Sequence, residues 1–210
     1  MRSLARAERA ALCDLLDQVG PDAPTLCDGW VTRDLAVHLA IRERRPDAAL
    51  GMFVPPLSGH RDRVQEALGK RPWRALVQLL RGGPPVLSAF SPPPVDAALN
   101  AIEFFVHHED VRRAQDGWQP RELPEQHTEE LWRRMRTMSR LLLRKAPVGI
   151  ALRRSGGVIW RAHQGSSYVT VAGPASELVL YAFGRTEHAQ VKLLGDPADI
   201  EQFRATPLGF

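Results

Sequence analysis

Within residues 100–114, NAIEFFVHHEDVRRA, an apolar run carries Glu103, His107, His108, Glu109 and Asp110. On a helix turning about 100° per residue, Glu103 and His107 stand one above the other as an i,i+4 pair. Asn100 falls near the same face and Asp110 on its edge, while His108 lies about a quarter turn away. Glu109, Arg112 and Arg113 fall on the far side, where the pattern predicts solvent. A carboxylate and an imidazole one turn apart both reach one point and are both unprotonated near neutral pH. They make half of a divalent-metal site, which needs a third protein ligand and leaves a position open for water or substrate. They also make a pair that satisfies itself by hydrogen bonding.

A third ligand is available from WVTRDLAVHLAIRERR, where His38 lies between Leu35, Leu39 and Arg42 on the predicted inward face. A histidine there serves equally as a hydrogen-bonded core residue. His60, His127, His163 and His188 sit in polar or loop contexts and read as surface residues. Cys13 and Cys27 are the only cysteines. Two thiols without an export signal do not form a disulfide framework, and both read as small, buried or half-buried residues.

These residues need helices to hold them. Apolar positions Leu4, Ala7, Ala11, Leu12, Leu15 and Leu16 predict a first helix over residues 2–18, so the N-terminus reads as a helix and not a signal peptide. GPDAPTLCDGW is a turn-rich loop. A second helix follows over residues 32–50, capped at Thr32 or a neighbour, with Asp34 in its first turn and Pro46 bending or ending it. Further helices are predicted over 61–81, broken near Gly69 to Pro72, and over 95–115 and 125–145. After Pro147, GIALRRS, GVIWRAH and SYVTVAG form short β-rich runs that read as an antiparallel meander. Then come a helix opened by Pro174 and closed by Gly184, a strand in QVKLLGD and a last helix in PADIEQFRA. The expected fold class is mainly α: a helical bundle over residues 1–146 with a small α+β domain over 147–210.

Composition narrows the function classes. No run approaches the roughly 18 to 20 apolar residues of a membrane span. The net charge of +4 comes almost wholly from arginine, with lysine only at Lys70, Lys145 and Lys192. Arg133, Arg134, Arg136, Arg140, Arg144 and Lys145 are scattered around their helix by its periodicity, which argues against nucleic acid as a partner. A cytoplasmic location follows from the missing export signal.

LCDGWVTRDLAVHL, followed some 60 residues later by NAIEFFVHHEDVRRA, resembles the DinB-like metal-binding four-helix bundles and most nearly the mycothiol-dependent maleylpyruvate isomerase group. SELVLYAFGRTEHAQVKLLGDPADIEQF is similar to that group's small C-terminal domain. The resemblance implies a metal triad of His38, Glu103 and His107, a divalent ion such as Zn2+, and mycothiol as a thiol cosubstrate in isomerisation or S-transfer. Val31-Thr32 departs from the usual Thr or Ser after the Trp and bears on the helix cap alone. The doubled His107-His108 before Glu109-Asp110 resembles an actinobacterial branch distinct from the isomerase. An anionic or electrophilic substrate would need cationic partners, for which Arg42 and Arg185 are the candidates, and Asn100 and Asp110 could orient a ligand imidazole. A metal-dependent hydrolase and a non-catalytic metal- or ligand-binding module on the same bundle remain alternatives. Either a monomer or a dimer fits.

Overall fold

The structure, a computed structural model, describes residues 3–49, 58–85 and 93–209, with the side chains of 46, 49 and 93–99 left aside. The chain divides into two compact units, residues 1–119 and 120–210. The first is all helical: α1 (Leu4–Val19), α2 (Thr32–Arg44), α3 (Pro46–Ala49), α4 (Ser58–Gly69), α5 (Trp73–Arg81) and α6 (Pro93–Arg113). The second holds α7 (Glu125–Leu142), β1 (Gly149–Arg154), β2 (Ile159–His163), β3 (Tyr168–Gly173), α8 (Ala175–Ala182), β4 (Lys192–Leu194) and α9 (Pro197–Arg204). This is the mainly α, DinB-like architecture with a small α+β part near the C-terminus. Packing groups α7 with the sheet, whereas element type alone groups it with the helices before residue 146. Among the described residues no helix is long and apolar enough to cross a membrane.

Local chemistry accounts for most of the helix ends. Pro46 has no amide hydrogen to continue α2, so that helix stops at Arg44 and Pro46 opens α3. At the other end of α2 the cap residue is Val31, whose N–H donates to Asp34 Oδ2 at 3.1 Å. Thr32 turns away, its hydroxyl donating to the Gly20 carbonyl at 2.6 Å. Residue 50, placed in α2 by the sequence pattern, and residues 86–92 of the expected Gly/Pro-rich loop lie outside the described residues.

In the first unit α1 lies along α6, and α2 packs on α3, α4 and α5. Leu12, Leu16, Leu35, Leu39, Leu76, Leu80 and Phe104 fill its core with no more than 1% exposure. Two of the three charges expected to face water on α6 do not: Glu109 and Arg113 are buried, and so is His108, a quarter turn from the pair. His108 Nδ1 pairs with Glu8 Oε2 of α1 at 2.8 Å. Glu109 accepts from Arg113 Nε at 2.6 Å and from Arg112 Nη1 at 3.0 Å. Helix α6 is covered on the side that the residue pattern assigned to solvent, and ion pairs satisfy the groups buried there. His127, expected at the surface, is also buried, in the second unit.

The sheet departs from the expected meander. Its order is β2-β1-β3-β4, with β1 antiparallel to β2 and parallel to β3. Ile150 and Leu152 sit beside Val169 and Val171, all four buried. After the β1–β2 hairpin the chain passes beneath the start of β1 to reach its other edge. Glycines make that crossing possible. A Cβ on Gly165 would lie 2.2 Å from the Gly149 nitrogen, and one on Gly149 would lie 2.7 Å from the Ser167 carbonyl oxygen. Pro174 is the cap of α8 and not its first residue, so the helix starts one residue later than expected, and Gly184 follows it at φ 86°. Asp196 caps α9, accepting from the Ala198 N–H at 2.9 Å.

Gly165→Ala puts a methyl group against backbone, which can yield only by separating β1 from the crossing. A loss of about 1–3 kcal/mol in urea unfolding is expected, the range for overpacking a tight site. A change of under a few tenths of a kcal/mol would show that the crossing is not close-packed.

Candidate metal centre

Two helices each supply an i,i+4 pair. On α2 these are His38 and Arg42, and on α6 Glu103 and His107. They meet at one atom. Glu103 Oε1 lies 3.2 Å from His38 Nε2, 3.4 Å from His107 Nε2 and 3.2 Å from Arg42 Nε. The His38 and His107 rings are edge to face, with centroids 5.4 Å apart. His38, Glu103 and His107 thus form one cluster whose ligand atoms all lie within 4.8 Å of one another.

The loop before α2 completes the surroundings. Leu26 N–H donates to the Asp110 carbonyl at 3.1 Å, tying the loop to α6. Thr25 braces the turn: its hydroxyl donates to the Trp30 carbonyl at 2.9 Å and accepts from the Cys27 N–H at 3.1 Å. Gly29 takes φ 71° within this turn, in the left-handed region that glycine enters without a Cβ clash. Trp30 is thereby laid against His38, ring centroids 5.2 Å apart. Asp110, fully buried, pairs with His107 Nδ1 at 2.9 Å, and Cys27 Sγ donates to the same carboxylate oxygen at 3.2 Å. Cys27 Sγ is also 3.8 Å from His107 Nδ1.

A cavity of about 320 Å³ opens beside this cluster, lined by Gly29, Trp30, Asp34, His38, Ile41, Arg61 and Gln65. His38 belongs to both the cluster and the cavity wall. Two further observations fit a divalent cation. The separations of 3.2 and 3.4 Å between imidazole nitrogen and carboxylate oxygen match the roughly 3.4 Å that two ligands of one tetrahedral ion would show. The Asp110 carboxylate at Nδ1 directs Nε2 of His107 toward the shared point, the arrangement in which ligand histidines are held.

The sequence reading named His38, Glu103 and His107, and the structure brings all three together. Arg42 joins them through Glu103. Arg185 lies in the second unit, where its guanidinium donates to the Phe183 carbonyl at 2.6 Å. Of the two candidates for orienting an imidazole, Asp110 contacts His107. Asn100 is buried and gives its amide to Glu43 Oε1 at 3.2 Å. Sequence reasoning passed over Cys27 and Trp30. The turn residues between them and the i,i+3 spacing of His107 and Asp110 were the available signals.

Electrostatics in the cluster are strongly coupled. Burial by itself would raise the Glu103 carboxyl, but hydrogen bonds from His107 and His38 and the charges of His107 and Arg42 hold it well below its ordinary value. Burial would likewise keep His107 neutral. Its contacts with Asp110, Cys27 and Glu103, and the Glu103 charge, outweigh that and raise it well above the usual histidine range. Without a cation, His107 therefore keeps its proton at neutral pH. A cation at Nε2 must displace it, so affinity should fall as pH drops and binding should release a proton. Calorimetry with Zn2+ in two buffers of different ionisation enthalpy tests this, and equal heats in both would refute it. Asp110→Asn should weaken Zn2+ binding about 10–100-fold, as for other residues that orient a ligand.

No protein-family model matches the chain. No curated protein matches it in sequence either. Solved structures do match. One is the mycothiol-dependent maleylpyruvate isomerase, at TM-score 0.62 and 19% identity, covering 92% of this chain and 91% of that one. Another is a histidine-to-alanine mutant of the mycothiol-dependent maleylpyruvate isomerase, at TM-score 0.63 and 18% identity with the same coverage. Over nearly its whole length, this chain is built on the fold of the mycothiol-dependent maleylpyruvate isomerase.

Proposed function

We propose that this chain is a divalent-metal-dependent enzyme, with zinc as its ion, that uses a low-molecular-weight thiol such as mycothiol. The reaction would be an isomerisation or S-transfer on an electrophilic or anionic small molecule. One observation supports this reading: three side chains able to bind a cation, from two helices, converge where His38 forms part of the wall of an open cavity. The shared fold of a mycothiol-dependent isomerase supports the thiol as cosubstrate. The residues of the bundle, 1–146, would supply the ion site, and residues 147–210 the smaller domain. A cytoplasmic location goes with this reading, because small thiols stay reduced there.

His38, Glu103 and His107 would hold the ion. Bound there, a divalent ion supplies Lewis acidity that lowers the pKa of a coordinated thiol. The chain's own groups do the rest. Asp110 fixes the His107 ring by holding Nδ1 at 2.9 Å. Arg42 balances the Glu103 charge and keeps the carboxylate aimed between the two imidazoles. Trp30 lies against one side of the His38 ring. Arg61 and Gln65 bring polar groups to the cavity, opposite in character to Trp30 and Ile41. A substrate with an unsaturated apolar body and an anionic end fits that division, its charge toward Arg61. Neither cysteine needs to act as nucleophile when the thiol comes from outside.

The test is a thiol-consumption assay on Zn2+-loaded protein with mycothiol and an electrophilic unsaturated acid such as maleylpyruvate. Turnover should require the thiol, and His38→Ala should reduce it at least about 100-fold, or some 3 kcal/mol of transition-state stabilisation. Turnover without any thiol would replace this reading with metal-dependent hydrolysis. Stoichiometric zinc with no turnover of any electrophile would leave a binding module.

A further inference from the structure

The ion pair between Asp110 and His107 does more than orient a ring. With Cys27 it makes a second group of three donors around a different point. Cys27 Sγ, His107 Nδ1 and Asp110 Oδ2 are separated by 3.8, 3.2 and 2.9 Å. Sulfur, nitrogen and oxygen bound to one tetrahedral ion would lie roughly 3.4 to 3.6 Å apart, so small rotations suffice to close the three on a single cation. The donors come from two segments whose backbones are already joined by the Leu26–Asp110 hydrogen bond. The group is half-buried at Cys27 and His107 and fully buried at Asp110.

This set differs in kind from the first. His38, Glu103 and His107 offer two nitrogens and an oxygen, whereas Cys27 brings a sulfur that favours softer ions. The two sets also share His107, by opposite nitrogens. A neutral imidazole has one lone pair. Nε2 serves the first set only when Nδ1 keeps its hydrogen toward Asp110. For Nδ1 to serve the second, that hydrogen must leave and Nε2 must carry one.

We propose that Cys27, His107 and Asp110 form a second cation position, selective for a thiophilic ion, which excludes the ion at His38, Glu103 and His107 by taking the lone pair of His107. On binding, the Cys27 thiol and His107 Nδ1 each give up a proton to solvent, Nε2 of His107 keeps its hydrogen, and sulfur–metal and nitrogen–metal bonds form. Asp110 exchanges its hydrogen bonds from Cys27 and His107 for the cation. A thiophilic metal would thus switch the first site off without touching His38 or Glu103. The proposal rests on the reading above only for the use of His107 Nε2.

Cadmium is the probe. Titrated into the whole protein, Cd2+ should produce thiolate-to-metal charge-transfer absorption that saturates at one equivalent. His38→Ala should keep that band, and Cys27→Ser should lose it. Cys13 does not compete as a thiolate source: it is fully buried and burial pushes its thiol up to about 12. Metal analysis after gel filtration should find one Cd2+ per chain in the wild type, not two. The proposal is overturned if the wild type shows no band, if Cys27→Ser keeps it, or if two ions bind together. The first site is judged separately. Cys27→Ser should still bind one Cd2+, without the band, through His38, Glu103 and His107. A Cys27→Ser protein that binds none, beside a His38→Ala protein that keeps the band, would sink the triad while sustaining this second position.

Discussion

One oxygen organises the first unit's polar centre. Glu103 Oε1 lies within 3.4 Å of two imidazole nitrogens and one guanidinium nitrogen, contributed by α2 and α6. A carboxylate in that setting stays ionised despite its burial, because each neighbour gains from the negative charge. Arg42 and His107, the latter held toward its charged form, approach each other only because the carboxylate lies between them. Removing it would leave two half-buried cations without their counter-charge. The arrangement is thus poised for exchange: protons and a divalent cation compete for the same nitrogens, and Glu103 stabilises either.

Holding such a cluster requires α2 and α6 to keep their rotation. Apolar packing is poorly suited to fix it, since leucines on a helix face accept small rotations at little cost. Directional bonds do it better. On another side of α6, His108 is tied to Glu8 of α1. Arg9 of α1 pairs with Glu43 of α2, and Glu43 also accepts from Asn100 of α6. Arg9 further lies over the Phe104 ring, 4.6 Å from its centroid. These buried pairs contribute little net stability once desolvation is counted. Their value lies in register, since each is satisfied in one rotational setting of three helices. The polar residues that crowd α6 therefore divide into a face with the donors for a cation and a face that holds the helix.

That division explains which features could be read from the residues alone. The i,i+4 pairing of Glu103 with His107 is a property of any helix, so it was visible before folding, and the stop at Pro46 follows from proline's missing amide hydrogen. Periodicity says which residues share a face, but not how many faces neighbours cover. Glu109 and Arg113 were therefore assigned to solvent, although α6 is enclosed on that side. The sheet misled for a similar reason. Short β runs with glycine turns predict strands but not their pairing, and the parallel β1–β3 contact depends on a backbone crossing only Gly149 and Gly165 allow. Cys27 was marked only by the turn residues around it. Its place beside Asp110 is set by a loop anchored through backbone and hydroxyl bonds.

The triad also limits what the shared fold can say about chemistry. Two imidazoles and a carboxylate would hold a Lewis-acidic ion in a setting that suits thiol activation, water activation or simple binding equally well. Choice among them must come from groups that are not ligands. Here those groups sit on the Cys27–Trp30 turn and on α4, which together with α2 wall the cavity. Trp30 offers an aromatic surface against His38, while Arg61 and Gln65 face it from a separate helix. Such a cavity separates an apolar part of a ligand from a charged part within about 320 Å³, enough for a small acid but tight for a second bulky group. At 18–19% identity the likeness carries the fold alone. Under the proposed reading, substrate choice would rest on the turn and α4, and the hold on the ion on α2 and α6.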